Sequence, residues 1–225
     1  MATAGRIDIE VGGKPYNIST TSIPYFASYT DFQCHSGQAA EKHNDIPLFE
    51  TAYQGVENGF RNCFRKLGTD ITEYHTLCDT LDLLCIDNLG GRSIDAISQD
   101  LKSGKGVYES NCRRPVYVKA NKAIARDSSF RLLCLILRVE FEDETQTRQK
   151  IYNAVLFVVS HRAIFKHHAR KTIRAAYEER FYVSEKQRAN LEKWPMTEPG
   201  TGAAWSDHDV TTEESSVDEM DSDDY

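Results

Sequence analysis

The order of the elements predicted between residues 7 and 89 constrains the fold of this chain more than any other feature. Residues 7–11 alternate apolar and acidic side chains, a pattern typical of a half-buried β-strand. Gly12 and Gly13 favour a tight turn, because glycine adopts positive φ without steric cost. Residues 15–20 are predicted to form the second strand, so we expect the chain to open with a β-hairpin.

Helical segments are predicted to follow this hairpin. Ser22 is a candidate N-cap for an aromatic-rich helix over residues 22–32, whereas residues 33–45 lack periodicity and predict a loop. Residues 46–49 are interpreted as a returning strand. A small sheet beside a helical cluster predicts an α+β fold. Three amphipathic helices complete this part of the chain: residues 55–67, 70–88 and 93–104.

Capping motifs predict where two helices begin. Asp70 with Glu73, and Ser184 with Gln187, match the capping box, in which two side chains satisfy backbone N–H groups reciprocally. The segment 105–121, which contains glycine and proline, is the predicted internal boundary. We therefore expect five regions: a flexible N-terminus (1–6), an α+β domain (7–104), a connector (105–121), an all-helical extension (122–195) and a disordered acidic tail (196–225).

The helical extension is predicted to hold three helices and a short continuation. Their expected spans are residues 122–141, 150–165 and 171–182, with the continuation starting at Ser184. Residues 151–159 are apolar nearly all round, so we expect their helix to be central.

Charge is divided unevenly along the chain, whose net charge is −7. Residues 196–225 contain ten acidic residues and no Lys or Arg. Removing those ten from the 34 acidic residues leaves 24 against 27 Lys and Arg, so the rest of the chain carries +3. Such a tail can fold back on the body, repel nucleic acid or keep the protein soluble. Its Ser215, Ser216 and Ser222 adjoin acidic residues and are candidate sites for acidophilic kinases.

The cysteine pattern predicts reduced thiols rather than disulfides. No Cys-x-x-Cys pair occurs, and no apolar leader opens the chain. Cys78 and Cys85 are expected on the buried face of the helix over residues 70–88, which argues against a Cys78–His75 nucleophile. The six residues are Cys34, Cys63, Cys78, Cys85, Cys112 and Cys134.

No catalytic, cofactor-binding or metal-ligating residues are predicted. The glycine clusters at 12–13, 90–91 and 104–106 lack the spacing of a phosphate-binding loop, so we interpret them as turns and caps. His161, His167 and His168 have no carboxylate or thiolate partners at ligand spacing. The sequence therefore favours a non-enzymatic protein without cofactors.

A basic stretch over residues 166–174 supports an alternative function. Lys166, Arg170, Lys171 and Arg174 could contact phosphates in a nucleic-acid-associated regulator, or serve as a nuclear import signal. Glu178 and Glu179 follow at once, which favours a solvated helix start over a nucleic-acid site.

Residues 7 to about 104 resemble a BTB/POZ domain of the short fungal type or of the potassium-channel-tetramerisation branch. The opening "IEVGGKPY" carries the likeness to that branch, and Ser22 to Phe26 resembles the family's S-x-x-F helix start. The other matching segments are the hairpin, the expected strand over 46–49, and the helices containing residues 55–64 and 76–89.

The resemblance implies a small mixed sheet capped by helices and a role in self-association and partner docking, as a homodimer or higher homo-oligomer. Family dimers use the first helix, which places Ile23, Phe26, Tyr29 and Phe32 near a partner; the alternative is that these aromatics are core. Some relatives recruit a cullin scaffold through a hydrophobic-x-Glu motif. Ala39 and Glu41 occupy the matching place, but alanine offers too little area, which argues against cullin recruitment.

The chain is therefore expected to be an adaptor or regulator that works inside the cell, in the cytoplasm, the nucleus or both. Its apolar runs are far shorter than the roughly 20 residues that a membrane-spanning helix needs, so no membrane contact is predicted.

Overall fold

The fold comes from a computed structural model, which describes residues 5–36, 42–139 and 144–194. Over these residues it is α+β, as predicted, with one small sheet and nine α-helices. The elements are β1 (Arg6–Val11), β2 (Lys14–Ser19), α1 (Tyr25–Ser36), β3 (Lys42–His43), α2 (Phe49–Asn58), α3 (Cys63–Lys66), α4 (Ile71–Leu83), α5 (Ile94–Ser103), α6 (Lys119–Arg138), α7 (Glu144–Ser160), α8 (His167–Arg180) and α9 (Glu185–Glu192). None of the helices described is long and apolar enough to cross a membrane.

The sheet has the order β2-β1-β3 and is mixed. β1 pairs antiparallel with β2, opposite Ile9 to Tyr16, around a turn in which Gly12 has φ 56° and Gly13 φ 82°. This confirms the predicted hairpin. The third strand runs parallel to β1, with Glu10 opposite Lys42.

The prediction of a returning strand over residues 46–49 is wrong. The strand lies earlier, at β3, and the apolar run instead forms a turn into α2, in which the Phe49 N–H donates to the Ile46 carbonyl at 3.1 Å. Leu48 adopts a left-handed conformation with φ 52°. Thr80 of α4 donates to the Pro47 carbonyl at 2.6 Å. Tertiary contacts therefore decide the structure of these four residues, because so short an apolar run shows no periodicity that separates a strand from a turn.

The single helix predicted over residues 55–67 is divided in two. Gly59 breaks it with φ 92°, and a 3-10 turn, Phe60–Asn62, leads into α3. A Cβ at Gly59 would lie 2.9 Å from Asp127 Oδ1. The same carboxylate accepts from the Arg61 backbone N–H at 2.8 Å, so a residue 66 positions away in α6 stabilises the break.

Three predicted helix starts are confirmed, at Asp70, Ser93 and Ser184. The N-cap predicted at Ser22 is wrong, because α1 begins at Tyr25, and α6, α7 and α8 begin three to six residues earlier than expected. Asp70 caps α4 by accepting from Thr72 N at 3.0 Å, although Glu73 accepts from Gly68 N at 3.1 Å instead of completing a capping box. Ser93 caps α5, and Ser184 with Gln187 forms the expected capping box of α9.

The helix predicted to reach residue 88 ends at Leu83. Cys85 adopts φ 56° and the Ile86 N–H donates to the Leu81 carbonyl at 2.8 Å, as in a Schellman motif. The expectation that Cys85 is buried is wrong, because this left-handed turn takes its side chain off the apolar face and leaves it exposed.

The core is continuous across the predicted connector. Phe130 of α6 is fully buried, stacks on Phe60 with ring centroids 5.3 Å apart, and meets Phe64 edge-on at 5.7 Å. Five consecutive α6 residues, 132–136, are all buried. In α7, Ile151, Val155, Val158 and Val159 are buried, while Leu156 and Phe157 are partly buried. The C-terminal helices therefore pack directly on the α+β part of the chain.

We expect Phe130→Ala to lower the free energy of unfolding by about 3–5 kcal/mol, because it removes a buried ring and leaves a cavity. Urea denaturation followed by circular dichroism measures this loss. Phe32→Ala is the control, since Phe32 is 68 % exposed and should change stability by less than about 0.5 kcal/mol. Two separate transitions in the wild type would contradict the continuous core.

Tyr16 and Glu50 join β2 to α2, and the phenol donates to the carboxylate at 2.7 Å. Burial, aided by Glu50, raises the pKa of Tyr16 to about 12, and the bond from Tyr16 lowers the pKa of Glu50. The lowered pKa means that this bond stabilises the fold above the unfolded pKa of a glutamate. The stabilisation is lost as pH falls through the folded pKa.

Tyr16→Phe should therefore cost about 1 kcal/mol at pH 7 and less at about pH 3, because the charge-assisted part of the bond is lost as pH falls through the lowered folded pKa of Glu50. Urea titrations at both pH values test this. Tyr53→Phe is the matched control, because the Tyr53 hydroxyl donates to the neutral Asn17 carbonyl at 3.1 Å. An equal loss at both pH values for Tyr16→Phe would contradict the charge-assisted bond.

Candidate functional site

The four residues proposed for self-association occupy different environments. Ile23 and Phe26 are buried in the core, 1 % and 0 % exposed, so the folded chain does not present them to a partner. Tyr29 is partly buried and donates to the Lys42 carbonyl at 2.6 Å, which ties α1 to β3. Phe32 is the one member of the set with a largely exposed side chain. Of the four residues proposed for self-association, α1 therefore offers chiefly Phe32 to a partner.

The basic stretch over residues 166–174 is also divided by the fold. Arg170 is buried and its Nε donates to the Val159 carbonyl at 2.9 Å, so it holds α8 against α7. Burial lowers the pKa of the Arg170 guanidinium. Arg174 pairs with Glu178 at 2.8 Å. Lys166 and Lys171 are exposed, so two of the four expected cations have side chains at the surface.

The described residues gather exposed apolar side chains on residues 105–118, which we call the arm. Four of the nine large apolar side chains exposed in the described residues belong to it: Val107, Tyr108, Val116 and Val118. Val107 and Val116 form an antiparallel bridge, with N–H to carbonyl distances of 3.0 and 2.8 Å. Contiguous exposed apolar surface is typical of sites that bind other proteins.

Two contacts fix the arm on the body. Tyr117 points opposite to Val116 and Val118, as alternation along an extended segment requires, and packs against the core. The Lys122 ammonium lies 4.3 Å from the centroid of its ring. A Cβ at Gly106 would approach Pro115 to 2.7 Å, so the two sides of the arm meet closely there. The arm is a built feature rather than a loose loop.

A second surface, which the sequence did not predict, is a pocket of about 270 Å³ between α3, α6 and the start of α8. Its floor includes the buried rings of Phe64 and Phe165. We call it the cationic pocket, because five basic side chains line it: Arg61, Arg65, Arg126, Lys166 and His168.

Local contacts orient the cationic side chains. Arg61 pairs with Asp127 at 2.9 Å, and Arg126 Nε donates to the Ile164 carbonyl at 2.7 Å. The Asp127 carboxylate offsets the charge of Arg61, and the side chains of all five basic residues line the pocket. No stretch of sequence could have predicted the cluster, because its members come from three distant segments.

The residues considered for thiol or metal chemistry have structural contacts. Cys78 is buried as expected, with its Sγ 3.7 Å from Cys134 Sγ, and His75 lies 3.9 Å from Glu179. His161 stacks on Phe157 with centroids 3.9 Å apart. Within the described ranges, no three His, Cys, Asp or Glu side chains gather as a metal site.

Several predicted residues lie outside the described part of the chain: Ala39 and Glu41 of the cullin-type motif, and Ser215, Ser216 and Ser222 of the tail.

Comparison with protein-family models, curated proteins and solved structures found no match. The geometry of the arm, of α1 and of the cationic pocket is therefore the basis for a functional proposal.

Burial divides the six cysteines into two reactivity classes. Cys34, Cys85 and Cys112 are exposed, whereas Cys63, Cys78 and Cys134 are buried. Burial raises the pKa of Cys63 to about 12 and that of Cys134 well above its usual value. The bond to Cys134 lowers the pKa of Cys78, so it is the burial of this thiol that keeps it from reagents. Because iodoacetamide must reach a thiolate to react, it should label the exposed three in the native protein and all six in urea. Peptide mass spectrometry measures this, and rapid native labelling of Cys134 would contradict the buried class.

Proposed function

We propose that this protein is a non-enzymatic interaction module of the BTB/POZ type, which self-associates and docks other proteins as an adaptor or regulator. The exposed arm is the observation that carries this proposal. Four large apolar side chains held in water have no role in the chain's own core, and their burial against a second protein would be favourable.

The architecture supports the same class. The BTB/POZ resemblance implies a small mixed sheet beside a helical cluster, and the chain has an antiparallel β1–β2 pair, a parallel β1–β3 pair and packed helices. The first helix retains an exposed aromatic residue, Phe32, at the place where the resemblance puts a partner.

A second copy of this chain is the occupant we propose for the arm. Val107 and Val116 direct their N–H and carbonyl groups to each other, so the residues that flank them form the outer edge with which a matching segment can pair. Two identical arms can meet around a two-fold axis, in which each supplies the same surface to the other. Such an interface would cover Tyr108 and Val118 as well.

Sedimentation velocity of the full chain between 1 and 100 μM tests self-association. We expect the wild type to form dimers or larger oligomers. The double variant Val107→Glu, Val116→Glu should raise the dissociation constant at least tenfold, a loss of about 1.4 kcal/mol of binding free energy. Leu83→Glu is the matched control, because Leu83 is 49 % exposed on α4, outside the arm.

Two outcomes would contradict parts of the proposal. A loss of association in Phe32→Glu but not in the arm variant would place the interface on α1 and reject the arm. A wild type that stays monomeric at tens of micromolar, and captures no protein by proximity labelling in cells, would reject the interaction module itself.

A further inference from the structure

The cationic pocket has the chemistry of a binding site for an acidic peptide. Arginine, lysine and histidine side chains surround a floor formed by Phe64 and Phe165, so an extended segment could place carboxylates on the walls and its apolar stems on the floor. The start of α8 adds partial positive charge at the same place, because Lys166 is the N-cap of this helix and the first backbone N–H groups have no carbonyl partners within the helix.

We propose that the cationic pocket binds a segment rich in Asp and Glu, and that residues 207–224 of this same chain are its occupant. Those residues include nine Asp and Glu and no Lys or Arg. The positive charge of the pocket and the negative charge of the segment are therefore complementary along a single chain.

The described residues end close to the pocket. Glu192, at the end of α9, lies 3.9 Å from Arg174 of α8, and Leu191 is buried. Arg174 follows His168 by six residues, a rise of about 9 Å along the helix. The 13 residues from Trp194 to Asp207 can span at most roughly 45 Å, which is enough to bring the acidic segment to the pocket.

The covalent connection favours this occupant over an acidic segment of another protein. A tethered segment has an effective concentration on the order of millimolar, which free acidic peptides in the cell do not reach. Phosphorylation of Ser215 or Ser216 would add charge to the segment and strengthen its contact with the arginines.

Carbodiimide coupling of the full chain provides the test, because the reagent joins an amine to a carboxylate only when the two are in contact. We expect peptide mass spectrometry to find Lys166 joined to Asp or Glu within residues 207–224. Arg65→Glu should lower that yield at least fivefold by reversing one charge in the pocket. Arg188→Glu is the control, since Arg188 is exposed on α9 but does not line the pocket. Circular dichroism checks that both variants fold.

A labelled peptide with the sequence of residues 205–225 supplies an independent measurement. We expect it to bind at least tenfold more tightly to a full chain in which the acidic residues of 207–224 are changed to Asn and Gln, because that variant cannot compete for its own pocket. Arg65→Glu introduced into the same variant should abolish this gain.

Four results would overturn the proposal. Equal peptide binding by the wild type and the neutralised variant would show that the pocket is open to an external partner. Coupling found only between isotopically distinct copies would show that the acidic segment binds the pocket of a second chain and not its own. A Lys166 coupling yield that Arg65→Glu leaves unchanged would remove the pocket from the contact. Tight binding of inorganic phosphate that the acidic segment does not reduce would make the pocket a small-anion site. Only the second result bears on the oligomeric state, and sedimentation velocity of the arm variant tests the interaction module separately.

Discussion

The burial of Phe130 between Phe60 and Phe64 is the contact on which the rest of the structure depends. The ring comes from α6, beyond the predicted connector, and closes the side of the α+β part that its own helices leave open. Asp127, one turn earlier on α6, holds the break at Gly59 that divides α2 from α3. The helical extension therefore completes the core of the preceding region, and its packing decides the local structure there.

Both proposed binding surfaces take their geometry from the first half of α6. The arm enters this helix at its N-cap, Val118, while Arg126 contributes to the cationic pocket. The two surfaces differ in chemistry, because the arm presents apolar side chains and the pocket presents cations. An apolar interface and a charged peptide site respond differently to salt, which screens the pocket and leaves the arm little affected.

Sequence reasoning was most accurate where a short pattern has one physical solution. Alternation before Gly12 and Gly13 predicted the hairpin, and Asp70, Ser93 and Ser184 predicted helix starts, because a cap bonds to backbone two or three residues away. It failed over residues 46–49 and around Gly59, where distant side chains decide between alternatives that are locally equivalent. The oppositely charged tail and body were evident from composition alone.

The amino-acid sequence by itself determined the α+β class, the starts of α4, α5 and α9, and the burial of Cys78, since these depend on periodicity and near neighbours. The tertiary structure alone decided which predicted site residues face outward: it buried Ile23, Phe26 and Arg170, and left Phe32 and Lys166 exposed. It also brought together the basic residues of the cationic pocket, which come from separate segments between Arg61 and His168. The physical reason is that exposure and proximity depend on how helices pack, and packing joins residues that no local pattern connects.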